Sequence, residues 1–487
     1  MTDDASAAPQ KVTSGTPGLD NVLYGGFIPG HTTIVTGGPG TGKTILALQF
    51  LAAADGDALY IGFEEREREL RRNANALGID LSNVSMLDLS ASGDRFFTEE
   101  AYTLFSSEEI EGEDLLADIA SEIEERDIDR LVIDPLSDLR SMLPDTFQFR
   151  RNISSLFNAL ADRGVTTICT AQKGDSGAET DLQYLGNATI EIVRTTERRT
   201  LEVTKYRGSE VAEGRHTYRI HTGTGGRVYP KLVPGDFHRE TSRETLPSGV
   251  DGLDALLHGG LERGSVTIIS GPSGVGKTTT SSYFLQASAE RGEKALAFLF
   301  EELRSDYIHR SSTLGMNLEE HIDAGTFEVE AIEALVQTPD EFADRVRTAV
   351  EEQDVEFVLI DGVAGYRLSL HGEYSADALM RELHALCRYL KRMGVTVILV
   401  EEMRNITGAF TPTTQQISYI ADNIVFLRYL EVDGEIEKSI GVLKKRFGGF
   451  EQSLRELSIG ENGLHVGDQL RGYRGLLTGT PEPIDDR

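Results

Sequence analysis

Apolar residues occur in short continuous runs along the first half of the chain, and longer segments with polar residues at helical spacing separate these runs. The runs predict strands over Thr32–Gly37, Ala58–Phe63, Val84–Leu89, Leu131–Asp134 and Thr166–Ala171. Helices are predicted from Gly42, near Glu67–Leu77, near Asp114–Glu125 and over Phe147–Arg163. Apolar strands that alternate with helices are typical of a parallel sheet covered on both faces.

After Gly186 the pattern changes to strands in which polar and apolar residues alternate. These strands are predicted over Thr189–Arg194, Thr200–Tyr206 and His216–His221. Strands of this alternating kind predict an antiparallel extension of the sheet.

The second half of the chain repeats this order. Ser14–Asp20 returns as Ser248–Asp254, and Leu131–Asp134 returns as Val358–Asp361. So long a period indicates two homologous domains rather than a solenoid of short repeats. The predicted organisation is a disordered lead at 1–10, a first domain at 11–231, a linker at 232–247, a second domain at 248–470 and a tail at 471–487.

The charge of the chain is strongly negative. Its 487 residues include 79 Asp and Glu against 48 Lys and Arg, which gives a net charge of −31. The acidic residues are spread along the chain, so we favour a surface adapted to high salt, a halophilic character, over an acidic interaction surface. The same charge disfavours a nucleic-acid partner, whose phosphates need Lys and Arg.

The two cysteines and the length of the apolar runs indicate where in the cell the protein is found. Cys169 and Cys387 lie in apolar segments of different domains, which predicts buried core residues rather than a disulfide or a metal site. No apolar run approaches the ~20 residues that span a bilayer, and the start of the chain does not read as a secretion signal. The sequence therefore predicts a cytoplasmic protein without a membrane partner.

Two segments fit the phosphate-binding pattern G-x-x-x-x-G-K-[ST], and each follows an apolar run and precedes a predicted helix. Backbone N–H groups of such loops surround phosphate oxygens, the Lys reaches the outer phosphates, and the Thr hydroxyl binds Mg²⁺. Both loops therefore predict binding of ATP with Mg²⁺. The predicted ATP-binding residues are Gly37, Gly38, Gly40, Thr41, Gly42, Lys43, Thr44 and Ile45, with Gly271, Gly274, Val275, Gly276, Lys277, Thr278 and Thr279 in the second loop.

A pair of glutamates follows the next apolar strand in each domain. Glu64-Glu65 and Glu301-Glu302 both come directly after a Phe. Hydrolysis of ATP needs a carboxylate that positions a water and takes its proton. We assign the first Glu of each pair as the base and the second as its orienting partner.

An aspartate ends a later apolar strand in each domain. Asp134 and Asp361 stand where a Walker B carboxylate holds Mg²⁺, directly or through water, together with Thr44 or Thr278.

Two cations two residues apart lie on a predicted strand near the end of each domain. They belong to Lys205-Tyr206-Arg207 and Lys444-Lys445-Arg446. Alternate residues of a strand project from one face, and paired cations can meet the charge of a transferring phosphoryl group from a neighbouring subunit. We therefore predict that these two segments act in trans.

The order of these motifs resembles the KaiC family, the two-domain circadian-clock ATPases of the RecA superfamily. The resemblance covers roughly residues 12–481, and its strongest part is Ile417–Ile424 with Lys444–Arg446 and Gly479–Pro481. It implies two tandem RecA-like α/β domains and a homo-hexamer of stacked double rings with ATP between subunits. It also implies a first domain that hydrolyses ATP slowly and a second that phosphorylates its own side chains.

The segment that carries phosphorylation in the family departs from its pattern. The family has an adjacent Ser-Thr pair, and this chain has Ser418-Tyr419, with Thr413 five residues before Ser418. Ser418 and Thr413 are the candidate phosphorylation sites. The activity would serve a timing or signalling role, with a partner that the sequence does not identify.

Two other functions fit the same phosphate loops. One is a RecA- or RadA-like DNA-dependent ATPase, which would need basic loops at the ring pore. The loops Gly174–Gly186 and Asn405–Gln416 contain no Lys or Arg, which weighs against DNA. The other is a nucleotide-gated scaffold with negligible turnover.

Overall fold

A computed structural model gives the fold. It describes residues 10–90, 119–142, 146–172, 184–196, 198–240, 242, 244–370, 375–403, 417–432, 434–471, 473–474 and 482–483. The chain divides into two compact units, Met1–Lys231 and Leu232–Arg487, called here the first and the second unit. Among the described residues, none of the helices is both long and apolar enough to span a membrane.

The first unit is built on one nine-stranded sheet. Its strands are β1 (Thr32–Gly37), β2 (Asp57–Gly62), β3 (Val84–Asp88), β4 (Ile128–Asp134), β5 (Thr166–Gln172), β6 (Ala188–Arg194), β7 (Arg199–Tyr206), β8 (Arg215–His221) and β9 (Gly225–Tyr229). Its helices are α1 (Leu19–Val22), α2 (Lys43–Ala52), α3 (Glu67–Ala76), α4 (Leu136–Met142) and α5 (Thr146–Asp162). The spatial order is β3-β2-β4-β5-β1-β6-β7-β8-β9. The pairs from β3 to β6 are parallel, and those from β6 to β9 are antiparallel.

The second unit repeats this sheet. Its strands are β10 (Thr245–Leu246), β11 (Leu261–Glu262), β12 (Val266–Gly271), β13 (Lys294–Leu299), β14 (Phe327–Ala331), β15 (Val355–Asp361), β16 (Thr396–Glu402), β17 (Asn423–Val432), β18 (Glu435–Lys445), β19 (Arg455–Gly460), β20 (Gly463–Gln469), β21 (Tyr473–Arg474) and β22 (Glu482–Pro483). Its helices are α6 (Asp251–Leu256), α7 (Lys277–Glu290), α8 (Arg304–Thr313), α9 (Leu318–Asp323), α10 (Pro339–Glu352), α11 (Val363–Ser369) and α12 (Ala376–Arg392). The nine-stranded order is β14-β13-β15-β16-β12-β17-β18-β19-β20.

Each sheet has an apolar core on both of its faces. Ile34 and Val35 are neighbours on β1, and they belong to different buried clusters of the first unit. In the second unit, Ile268 and Ile269 on β12 likewise belong to different buried clusters. All side chains of β1 and β12 are buried, because a central parallel strand has no face in water. The predicted fold class, two tandem α/β domains with an antiparallel extension, is confirmed.

The segment predicted as a linker packs on the second unit. It contains a 3₁₀ turn at Pro234–Asp236. The ring of Phe237 contacts Tyr389 edge-on at a centroid distance of 4.9 Å, and the Arg239 N–H donates to the Arg392 carbonyl at 2.9 Å. This part of the chain is therefore ordered by contacts within its own unit.

Candidate active site

The first phosphate loop connects β1 with α2. Lys43, the first residue of α2, donates through Nζ to the carbonyls of Gly37 and Gly38 at 3.0 Å each. Gly42 precedes the helix with a φ of 98°. A Cβ built on Gly42 would lie 2.7 Å from Cδ1 of Ile220, so glycine is required both for the backbone angle and for the space.

The second phosphate loop connects β12 with α7 in the same way. Lys277 Nζ donates to the Pro272 carbonyl at 2.9 Å. Gly276 has a φ of 116°, and a Cβ on it would lie 2.2 Å from Cδ1 of Ile459. The side chain of Val275 is completely buried and packs under the loop, so the residue can contact phosphate only through its backbone N–H.

The two predicted metal aspartates have different neighbours. Asp361 accepts a hydrogen bond from Thr278 Oγ1 at 3.2 Å, so the structure brings these two predicted Mg²⁺ ligands together. Asp134 accepts from Tyr60 at 3.0 Å and, through its other oxygen, from Thr170. Neither of these hydrogen bonds involves Thr44.

The oxygen donors at these places suit Mg²⁺. Burial raises the pKa of Asp361 to about 7, against the hydrogen bond from Thr278, which lowers it. Within the described ranges no group of three or more His, Cys, Asp or Glu could cage a metal. Mg²⁺ in nucleotide sites is held by one or two protein oxygens together with the phosphates, so Thr278 with Asp361 fits that role, and Thr44 and Asp134 supply the same kinds of oxygen in the first unit without bonding each other.

The glutamates of the first pair lie at the carboxyl end of β2. Glu64 accepts a hydrogen bond from Gln172 Nε2 at 3.3 Å. Glu64 is exposed, yet partial desolvation, followed by the nearby carboxylates of Asp138 and Asp134, raises its pKa. A raised pKa makes a carboxylate a stronger base. Glu65 is exposed.

Both glutamates of the second pair have a partner within their unit. Glu301 accepts from the Gly365 N–H at 3.3 Å, and Glu302 forms an ion pair with Arg310 at 2.7 Å. Burial raises the pKa of Glu302, and Arg310 opposes that shift. The orienting group of Glu301 is therefore a backbone amide, whereas the predicted partner Glu302 is bound to an arginine.

The paired cations lie beside the ends of β7 and β18. Lys205 Nζ donates to the carbonyls of Tyr184 at 3.2 Å and Gly186 at 2.6 Å. Lys444 Nζ donates in the same way to Ser418 at 3.1 Å and Ala421 at 2.6 Å. Lys205 therefore holds the segment that precedes β6, and Lys444 holds the segment that precedes β17.

The arginines and the middle residues of these triplets face different surroundings. Arg207 is exposed, and Arg446, 49% exposed, pairs with Asp422 at 3.1 Å. Tyr206 donates instead to the Gly26 carbonyl at 2.7 Å. Lys445 is 2% exposed and pairs with a glutamate of its own unit at 2.9 Å. Arg207 and Arg446 therefore face outward, whereas the lysines and Tyr206 are bonded within their own units.

Of the candidate phosphorylation sites, the structure describes Ser418 alone. It lies in a turn over residues 417–420, where the ring of Tyr419 contacts His384 at a centroid distance of 5.6 Å and is 60% exposed. Thr413 lies outside the described residues, as do most of the two loops considered for the pore.

The sequence reasoning missed Gln172 and Arg310, which bond the two glutamate pairs. Gln172 ends β5 and is in register with Gly37 at the start of the loop. The equivalent residue of the second unit, Glu402, is in register with Gly271. The available signal was a polar residue that ends an apolar strand. Arg310 lies within a helix and carried no such signal.

Two units of one α/β fold, each with a phosphate loop between a central strand and a helix, define a tandem P-loop NTPase. A family model described as "ATPase: KaiC" matches residues 12–233 and again residues 246–471. The chain belongs to the KaiC family of ATPases, as its motifs predicted.

Named relatives agree over nearly the whole length. Circadian clock protein KaiC3 of Synechocystis sp. is 28% identical over 499 residues, covering 99% of this chain and 96% of that protein. Circadian clock oscillator protein KaiC of Picosynechococcus sp. is 28% identical, covering 98% and 93%. The KaiC of Thermostichus vulcanus is 27% identical, covering 99% and 94%.

Proposed function

We propose that the chain hydrolyses ATP at both phosphate loops and works as a timing or signalling module. The observation that carries this proposal is the repeated placement of three groups in each unit. A phosphate loop, a glutamate pair and a strand-ending aspartate come together at the carboxyl ends of parallel strands, where α/β proteins bind their ligands.

The roles of the residues follow from this placement. Lys43 and Lys277 bind the outer phosphates once they leave the loop carbonyls. Glu64 in the first unit and Glu301 in the second take the proton of the attacking water. Mg²⁺, when bound, supplies neutralisation of the phosphate oxygens.

We further propose a homo-hexamer of double rings in which each nucleotide lies between subunits. Arg207 and Arg446 project outward from their units, so they can reach a nucleotide bound by a neighbour. Lys205 and Lys444 hold the adjoining turn at the same place. The relatives' names place them in circadian clocks, and this chain is proposed to serve a related role with a protein partner still to be identified.

Phosphorylation of the chain by its own second unit is the finer part of the proposal. Ser418 is the described acceptor, in a turn held by Lys444 through the Ser418 carbonyl. The acceptor hydroxyl would attack the γ-phosphate, lose its proton to a carboxylate, and leave ADP as the second product.

The test is incubation of the full chain with γ-³²P-ATP in molar KCl, reading free phosphate and protein-bound label separately. We expect free phosphate that falls in Lys43→Ala and in Lys277→Ala. Label on the protein should disappear in Lys277→Ala and in Ser418→Ala but persist in Lys43→Ala. Absence of free phosphate and of label in the native chain would reject the enzymatic proposal and leave a scaffold.

A further inference from the structure

Two arginines lie directly opposite each other on neighbouring strands beside the first phosphate loop. Arg194 ends β6, Arg199 begins β7, and the antiparallel register pairs them. Directly opposed residues project from the same face of a sheet, and like charges in that position destabilise it. A chain with a net charge of −31 has many carboxylates that could have occupied one of these places.

Both guanidinium groups adjoin one residue of the loop. Arg199 Nη2 donates to the Gly40 carbonyl at 3.4 Å. A Cβ built on Gly40 would lie 3.3 Å from Nη1 of Arg194. The like charges are therefore concentrated at the loop whose amides are suited to phosphate.

Among the residues that the structure describes, no carboxylate pairs with either arginine. Arg199 is half-buried, and its Nε is buried without a hydrogen-bond partner. Burial, followed by the nearby Arg194 and Arg219, lowers the pKa of Arg199. Across the described ranges, neither Arg194 nor Arg199 forms an ion pair. A buried donor without a partner is costly, so an anion that met both guanidinium groups would stabilise the folded protein.

The second unit shows that a phosphate loop of this fold does not need such a pair. Tyr429 and Lys438 occupy the equivalent opposed positions on β17 and β18. The Tyr429 hydroxyl donates to the Ser273 carbonyl at 3.2 Å and so supports the loop without a charge. The second unit therefore has one positive charge at these two positions, and the first unit has two.

We propose that Arg194 and Arg199 bind the phosphate groups of a nucleoside di- or triphosphate at the first loop. The inference rests on the proposed nucleotide binding by that loop. A planar guanidinium matches phosphate geometry and keeps its charge at all ordinary pH values. The two groups would act with Lys43 rather than replace it.

The experiment compares the two sites one at a time in the full chain. Lys277→Ala leaves the first loop as the binding site, and Lys43→Ala leaves the second. In the first background, Arg194→Tyr with Arg199→Lys installs the residues of the second unit. In the second background, Tyr429→Arg with Lys438→Arg makes the reverse exchange. The readout is the Kd for ATP and for ADP across a range of KCl concentrations.

We expect the first exchange to weaken ATP binding by roughly tenfold or more, because a hydrogen bond to a charged group is lost. Its Kd should also depend less steeply on KCl, since fewer charges remain to be screened. The reverse exchange should strengthen binding at the second site. Arg194→Gln alone, at an exposed position that the fold does not require, should give part of the first effect.

Unchanged affinity together with an unchanged KCl dependence in the exchanged first site would overturn the inference. A first site that binds no nucleotide in Lys277→Ala alone would instead overturn the proposed function on which it rests. Circular dichroism of each variant separates loss of binding from loss of fold, and Arg194→Gln provides the test if the double exchange does not fold.

Discussion

A buried ion pair in the second unit provides a sharp test of the energetics. Lys445 on β18 and Glu262 on β11 are 2.9 Å apart, with side chains 2% and 12% exposed. Lys445 also donates to the Leu257 carbonyl. The aligned positions of the first unit hold Tyr206 and Ile28, so the duplicated fold fills the same place without charges.

Lys445→Met should destabilise the second unit strongly. The change leaves the Glu262 carboxylate buried without its cation, and breaking a buried pair in this way costs about 3–5 kcal/mol. For a unit of this size, that loss lowers the unfolding temperature by about 6–20 °C. Because the pair is buried, molar KCl should screen little of the effect.

The internal copy supplies the matched control. Lys445→Tyr combined with Glu262→Ile installs the residues of the first unit, and removing both charges of a buried pair is often neutral or stabilising. The double variant should therefore recover most of the stability that the single variant loses. Removing Glu202 from its exposed pair with Arg215, 34% and 61% exposed, should cost less than about 1 kcal/mol.

Hydrogen exchange resolved by peptide is the suitable assay, because it reports each unit separately in the intact chain. Protection in β12 and β16 would follow the stability of the second unit. The reasoning would be refuted if the double variant were as unstable as Lys445→Met, or if Lys445→Met cost no more than the exposed control.

Three further outcomes are expected. Glu64→Gln in a Lys277→Ala background should lower phosphate release by about 10²–10⁴-fold with ATP binding retained, whereas an equal loss of binding would argue against a base. Gly276→Ala should abolish ATP binding at the second loop, while Gly292→Ala, which has a similar φ of 84° but open space, should retain it in the same equilibrium assay. Burial lowers the pKa of His216, so the first unit should lose stability as pH falls below 6.5; His216→Gln should flatten that dependence in thermal unfolding, and a flat native profile would contradict it.

The sequence was sufficient for the central strands and for β3 at one edge of the first sheet, and insufficient for β9 at the other edge. β1 and β12 are continuous apolar runs buried on both faces, so their pattern identified them. β9, with the sequence Gly-Gly-Arg-Val-Tyr, lies at the edge of the first sheet and was not predicted. Its two glycines and its exposed arginine hide the strand pattern, because glycine is rare in strands and leaves only Val228 and Tyr229 to signal one.

In the candidate site, too, some residues could be predicted from the sequence and others could not. The loop glycines and lysines follow a strict local spacing, so one stretch of sequence identifies them. Tyr60 bonds Asp134, but it lies inside an apolar strand and reads as a core residue. Arg310 and Glu302 are eight residues apart, and their contact depends on how α8 packs after its loop. Such pairs arise from tertiary packing, which local patterns do not encode.

The duplicated sites have diverged in their charges while their backbones stayed alike. Glu64 has an amide neighbour in Gln172, whereas Glu402 occupies the equivalent place near Lys277. An added carboxylate beside the phosphate loop opposes an incoming polyphosphate, and an arginine pair beside the other loop attracts it. Both differences favour the first unit for nucleotide binding, so we expect its site to fill before the second as the ATP concentration rises.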